Sequence, residues 1–418
     1  MTSETVASTR RLLFVAPFVP SRRGRHGASR CLAELLDALS ARHSVGLLHL
    51  RGRGEPGVEA SLTHQLEVVR EIDRPEAPRD ALGRAALLVS LLRGRPMWAH
   101  DWRVAELARQ LADLVGDWRP EVVHLDLAVM GQYVSAVPGP TVTVLTDHDP
   151  PVPAAVEALR QQAGLRRLLY ALDLQAWWRM ERIVLRSVAT AIVFTEDDRA
   201  RLARTAGLTP IVTIPLGTTI PSRPLDPLGS SPPTLLFVGG PHHPPNAEAA
   251  KRLAERILPR LVERMPDVRL RIVGDYMPGT LKSSAAAHLV VSGAVADVRP
   301  FLDEAAVVVA PLTSGGGMRV KVMEALAAGK AVVGTSLAFA GLDAPTERAA
   351  VVAEADDEFC VAIAGLLRDP AERAAVAARA RRWATENLTW SRRVAQYEQL
   401  YDRLLPAASP VRSEEPKA

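Results

Sequence analysis

Residues 312–335 read LTSGGGMRVKVMEALAAGKAVVGT. Three glycines lead into Met-Arg-Val-Lys, then a glutamate, a short alanine-rich helix and an apolar run from Ala331. Cations at the start of a helix oppose the macrodipole, whose positive end favours acids. An anion held at that end would make the arrangement tolerable. The run Val307 to Ala310 predicts a strand, so the stretch reads strand, glycine loop, helix, strand. In a parallel sheet such a loop lies at the carboxyl end of its strand, where ligands bind. The free N–H groups of Gly316, Gly317 and Met318 would point at an anion. Arg319, placed in the first turn of a helix starting near Met318, adds a forked cation suited to phosphate oxygens. Lys321 and Glu324 are three apart and share a helix face. Lys321 could reach a second phosphate, and Glu324 could accept two hydrogen bonds from a ribose diol. A flexible glycine turn beside a surface Lys–Glu pair is the alternative.

The same unit recurs on both sides. Strands at Leu235–Gly239, Leu270–Gly274, Leu289–Ser292 and Ala331–Gly334, with helices from Asn246 and Val298, make residues 234–385 a Rossmann-type domain. Residues 1–220 repeat the alternation. Their strands are expected near Arg11–Pro17, Val45–Leu50, Val122–Leu125, Thr141–Leu145, Ala191–Thr195 and Val212–Pro215, with a helix Ala28–Arg42 and a mostly helical stretch from 60 to 118. Residues 221–233 (PSRPLDPLGSSPP) read as a linker. A helical tail runs from Glu358 to Leu405, Pro370 opening a new segment in it; its last helix, 386–405, is expected to pack back toward the first domain. Residues 406–418 are polar and expected to be disordered. The fold class is therefore α/β, two Rossmann-like domains facing a central cleft.

Composition narrows the function. The 418 residues are 48% apolar and 23% charged, with a formal charge of +4, which does not call for nucleic acid. No apolar run is long enough to span a bilayer. The N-terminus, MTSETVASTRR, lacks a signal-peptide core, and the two cysteines, Cys31 and Cys360, are far apart; a cytoplasmic protein without disulfides or a metal cluster is expected. Lysines are few among many arginines, which singles out Lys321. No G-x-G-x-x-G follows the first strand, and Walker A, H-E-x-x-H and G-x-S-x-G motifs are absent.

Two further stretches carry chemistry. In Val144-Leu-Thr-Asp-His-Asp-Pro a strand ends and His148 follows, well placed to hydrogen-bond a substrate. A loop histidine paired with Asp147 or Asp149 is the alternative. From Leu165 to Arg186, Leu165, Leu168, Leu169, Leu172, Met180 and Ile183 recur near helical period among arginines. Such a helix can lie on an anionic membrane as a peripheral contact, or pack on its own sheet with the arginines solvated.

PLTSGGGMRVKVMEALAAGKAVVGT (311–335) resembles the donor-binding segment of the family 4 glycosyltransferases, the retaining group with the GT-B fold. FVGGPHHPPN (237–246), ILPRL (257–261), IVG (272–274), SGAVADVRPFL (292–302) and IPLG (214–217) are similar to other signatures of that family, in the same order. The resemblance implies transfer of a sugar from a nucleoside diphosphate sugar, as substrate, to a hydroxyl acceptor. It implies retention of configuration, no cofactor and no bound metal. Glu324 matches the second glutamate of the family's E-x7-E pattern, the ribose partner; the first falls at Gly316 and is missing. The family's frequent Arg and Lys after the first strand of this domain are also missing, with His242 and His243 nearby. This leaves Arg319 and Lys321, with the amides of Gly316, Gly317 and Met318, as diphosphate partners. His148 matches the histidine beside the transferred sugar. Gly27 matches a position where the first helix approaches the donor phosphate, and Arg22, Arg23 and Arg25 either meet an acceptor phosphate or are solvated. A nucleotide-sugar epimerase of the same fold, or an inactive sugar-nucleotide-binding protein, are the alternatives.

Overall fold

The computed structural model describes residues 9–22, 24, 27–76, 81–277, 279–295, 297–342 and 348–405, without the side chains at 81, 82 and 84. Arg23, Arg25 and the 406–418 tail lie outside them.

Strand β1 (Arg11–Ala16) buries every side chain after Arg11, as a strand covered on both faces must. It pairs in parallel with β2 (Ser44–Arg51) and β4 (Val122–Asp126). With β3 (Val68–Asp73), β5 (Val142–Thr146), β6 (Thr190–Val193) and β7 (Ile211–Thr213) it makes a seven-stranded sheet of order β3-β2-β1-β4-β5-β6-β7. The second sheet has six strands: β8 (Thr234–Val238), β9 (Arg269–Val273), β10 (Leu289–Val291), β11 (Ala305–Ala310), β12 (Val332–Gly334) and β13 (Val351–Val352), in the order β10-β9-β8-β11-β12-β13. Each sheet reverses direction of growth once, beside β1 and beside β8. Crevices open there at the carboxyl ends of the strands.

Helices cover both faces of the first sheet. Leu32, Leu35, Leu36 and Leu39 of the Gly27–Ser40 helix pack on one face; Leu107, Leu111 and Leu114 of the Ala105–Trp118 helix pack on the other. The second sheet and its helices share one continuous core. After the Pro370–Asn387 helix the chain crosses back. The Trp390–Leu404 helix seats Val394, Tyr397, Leu400 and Tyr401 against the core of the first sheet, and the Tyr401 hydroxyl lies 2.9 Å from His124 Nε2.

The stretch from 60 to 118 is mostly helical, as expected, with β3 set in it, an edge strand in which only Ile72 is buried. Two expectations are corrected. The helix after the glycine loop begins at Val320 rather than near Met318, which makes Arg319 its N-cap instead of a first-turn residue. In the Gly164–Ser187 helix the buried face is Leu174, Trp177, Val184 and Leu185, not the stripe read from the sequence; Leu165, Leu168 and Ile183 are 78%, 59% and 52% exposed. Among the described residues no helix is long and apolar enough to cross a membrane.

Candidate active site

The glycine loop follows β11, whose six residues are all buried. Gly315 and Gly317 take φ values of +102° and +64°, a region that disfavours any side chain. Gly316 is required for a different reason: a Cβ there would collide with Oδ1 of Asp149, and one on Gly317 would collide with the carbonyl oxygen of His148. Both partners come from the loop after β5, on the other sheet. The glycines thus let two domains touch backbone to backbone across the cleft.

Arg319 resolves the charge conflict at this helix end. Its guanidinium folds back, donating from Nη2 to Gly315 O at 2.8 Å and from Nη1 to Gly316 O. It is 8% exposed, and Asp149 and Asp198 attract it. The anion demanded by the sequence is therefore present as a protein carboxylate. Met318 is buried, its sulfur accepting from the Leu216 N–H at 3.1 Å.

Lys321 and Glu324 share a helix face but bond elsewhere rather than to each other. The Lys321 ammonium donates to Asn246 Oδ1 and lies 4.9 Å from the Phe237 ring centroid. It therefore reaches back to the end of β8. Burial, with Arg319 and Arg30 nearby, pushes its pKa down to about 7. Glu324 meets Arg30 of the Gly27–Ser40 helix in a forked pair, Nε to Oε1 at 3.0 Å and Nη2 to Oε2 at 3.4 Å. Burial raises the Glu324 carboxyl even so, against the pull of Arg30. Gly27 abuts this helix too: a Cβ on it would lie 3.0 Å from Cγ2 of Val320. Arg22 pairs with Asp37 at 2.6 Å.

His148 pairs with neither flanking acid. Its Nε2 is 3.0 Å from Oδ1 of Asp126, at the end of β4, and its ring stands edge-on to Phe194 at 4.8 Å. Asp147 is buried and held well above the usual carboxylate range by that burial and by Asp149. Asp149 keeps solvent exposure as a residue, but its carboxyl is crowded; burial and Asp198 raise it to about 6, opposed by Arg319 and the Gly316 amide.

Between the domains lies a cavity of ≈ 450 Å³ whose lining includes Arg30, Glu324, Gly239, Gly274, Val295 and Leu302. Glycine and aliphatic residues alternate in the lining with charged ones, among them Glu34, Asp275 and Arg299, so it suits a flat ring joined to a polyol. Sequence reasoning missed Arg30, Asp126 and Asn246. Arg30 alone left a signal, a cation early in the helix after the basic loop.

Two family descriptions match the chain: Glycosyltransferase Family 4 over residues 25–220, and glycosyl transferases group 1 over residues 232–369. A phosphatidyl-myo-inositol mannosyltransferase of Mycolicibacterium smegmatis is 34% identical over 176 residues, 40% of this chain and 45% of that protein. The chain thus matches under half the length of this curated relative. Among solved structures, sucrose-phosphate synthase of Thermosynechococcus elongatus superposes with a TM-score of 0.66 at 15% identity, covering 94% of this chain and 99% of that one. Anabaena HepE in complex with UDP gives 0.59 at 14% identity, covering 93% and 99%. The paired parallel sheets, the glycine loop closed on the opposite domain and the two matches in tandem make this chain a member of the family 4, group 1 glycosyltransferases, with the GT-B fold.

Proposed function

We propose that the protein transfers a sugar from a nucleoside diphosphate sugar to a hydroxyl acceptor, with retention of configuration and without a metal ion. The observation that carries this reading is the order of groups along one helix. Glu324 faces the interdomain cavity, Lys321 stands a turn nearer the N-terminus, and the glycine loop precedes it. A nucleoside fits in the cavity with its ribose diol on Glu324, taking over the hydrogen bonds now supplied by Arg30. The freed Arg30 and Lys321 then face the diphosphate, and the sugar extends toward the loop and His148. Positive charge from Arg30 and Lys321, gathered around the leaving diphosphate on binding, stabilises the transition state. That supports chemistry without a metal, which undiminished turnover in a chelator would test. Retention follows if the acceptor hydroxyl enters from the face the diphosphate leaves, with His148 hydrogen-bonding the sugar from the opposite domain. An anomeric product analysis by NMR decides it.

The test separates donor from sugar contacts. Hydrogen bonds to charged groups are worth about 1.5–3 kcal/mol, so Glu324→Ala should weaken UDP or GDP, whichever binds wild type, roughly tenfold or more in calorimetry. His148→Ala should leave that Kd within about twofold while cutting kcat by roughly tenfold or more, since it touches only the sugar. Unchanged affinity in Glu324→Ala removes the ribose role, and full turnover in His148→Ala makes it a structural histidine.

We also propose peripheral contact with an anionic membrane. Leu165 and Leu168 stand exposed beside Arg166 and Arg167 at the start of the Gly164–Ser187 helix, apolar tips framed by cations. Sedimentation with anionic vesicles should be lost in Leu165→Ser/Leu168→Ser; equal recovery with zwitterionic vesicles, or with the variant, would count against this surface.

A further inference from the structure

The group that fills the space over the glycine loop is a carboxylate from the other domain. A side chain at 316 and the Asp149 carboxylate in this position are mutually exclusive, since a Cβ at 316 would overlap Oδ1. Asp149 is also held there: the Gly316 amide hydrogen-bonds it, and Arg319 supplies an opposite charge from below. Yet the residue as a whole remains solvent-exposed, so acceptor capacity remains open. It lies one residue from His148 and at the end of the Val320–Ala327 helix remote from Glu324.

Direction along the helix decides what reaches Asp149. With the nucleoside at Glu324 and the diphosphate near Lys321, the part of the donor that arrives at the loop is the sugar. A carboxylate repels phosphate oxygens, whereas it accepts hydrogen bonds from hydroxyls strongly and with fixed direction. We propose that Asp149 is a specificity-determining residue for the donor sugar: its carboxylate, delivered into the space left by Gly316, accepts a hydrogen bond from one hydroxyl of the transferred sugar. This rests on the function proposed above. A site that pairs a substrate hydroxyl rejects analogues lacking it far better than an apolar pocket does. Discrimination is therefore built only when the two domains are together, because neither holds both the glycine and the acid.

The experiment uses the full chain and a panel of nucleoside diphosphate sugars differing at single hydroxyls, as epimers or deoxy analogues. For wild type, Asp149→Ala, Asp149→Asn and Gly316→Ala, kcat/KM is measured for each donor, with Kd for the free nucleoside diphosphate and a thermal melt. In Asp149→Ala, kcat/KM for the preferred donor should fall roughly tenfold or more, while the analogue altered at one position loses little, so the ratio between them collapses. Gly316→Ala should reproduce that collapse by pushing the carboxylate aside, and adding it to Asp149→Ala should change the ratio no further. Asp149→Asn, equal in size, guards against a folding defect; it should keep the wild-type melt and lose part of the discrimination. Nucleoside diphosphate affinity should stay within about twofold throughout. A uniform loss across all sugars, leaving every ratio intact, overturns the proposal and makes Asp149 a domain clasp. Tighter nucleoside diphosphate binding in Asp149→Ala overturns it too, since the acid would then be competing with phosphate. If wild type binds no nucleoside diphosphate at all, the failure belongs to the proposed function.

Discussion

Lys321 is held near neutrality by its surroundings, and a donor diphosphate would reverse that. Its folded pKa of about 7 lies below the ordinary 10.5, so between these values the folded protein binds fewer protons than the unfolded chain. Stability therefore rises with pH across that window and carries the full penalty below pH 7. Lys321→Met should raise the melting temperature at pH 7 and flatten its pH dependence, while weakening the nucleoside diphosphate by roughly tenfold or more. Binding an anion favours the ammonium, so wild-type affinity should fall as pH rises past 7, with proton uptake visible in calorimetry across buffers of different ionisation enthalpy. A variant that keeps both the affinity and the pH slope would show that the ammonium serves only Asn246. Lys321 and Glu324 were legible in the sequence because helical spacing puts them on one face. Their partners were not: Arg30 is 294 residues from Glu324 and Asn246 is 75 from Lys321, and only the tertiary fold brings such pairs together.

The elements that announced themselves are those buried on both faces. β1 and β11 read as unbroken apolar runs, which is what burial by helices on two sides demands. β3 escaped because VVREID, at the edge of its sheet, buries only Ile72, and β13 because it has two residues. The stripe on the Gly164–Ser187 helix misled for a related reason. Periodicity reports that apolar residues align, not which side of the helix the sheet lies on. The Trp390–Leu404 helix was legible as a helix, and its docking makes a prediction. Val394, Tyr397, Leu400 and Tyr401 are at most 3% exposed. At about 1.5–3 kcal/mol for each large apolar side chain, their burial rivals the ~5–15 kcal/mol that holds a domain folded. A chain ending at Leu388 should therefore lose the near-ultraviolet circular dichroism and cooperative melting of its first domain. An unchanged melt would mean that the helix only decorates a core complete without it.

Across the whole molecule, the cleft is closed by unlike contacts: a forked ion pair from Arg30 to Glu324, Gly27 against Val320, and the glycine loop against His148 and Asp149. Every one pairs a residue from the first 220 with one beyond 310, so the domains meet only after both are made. The returning helix tightens this ordering. The first sheet's core receives Tyr397 and Tyr401 from near the end of the described chain. During synthesis, the first domain emerges from the ribosome with that side of its core covered by the Gly27–Ser40 helix but not by the returning one. At roughly 5–20 residues per second, it waits on the order of ten to forty seconds for the segment that covers it. The domain translated first is thus the one completed last, and in that interval its uncovered face is a ready binding surface for a chaperone.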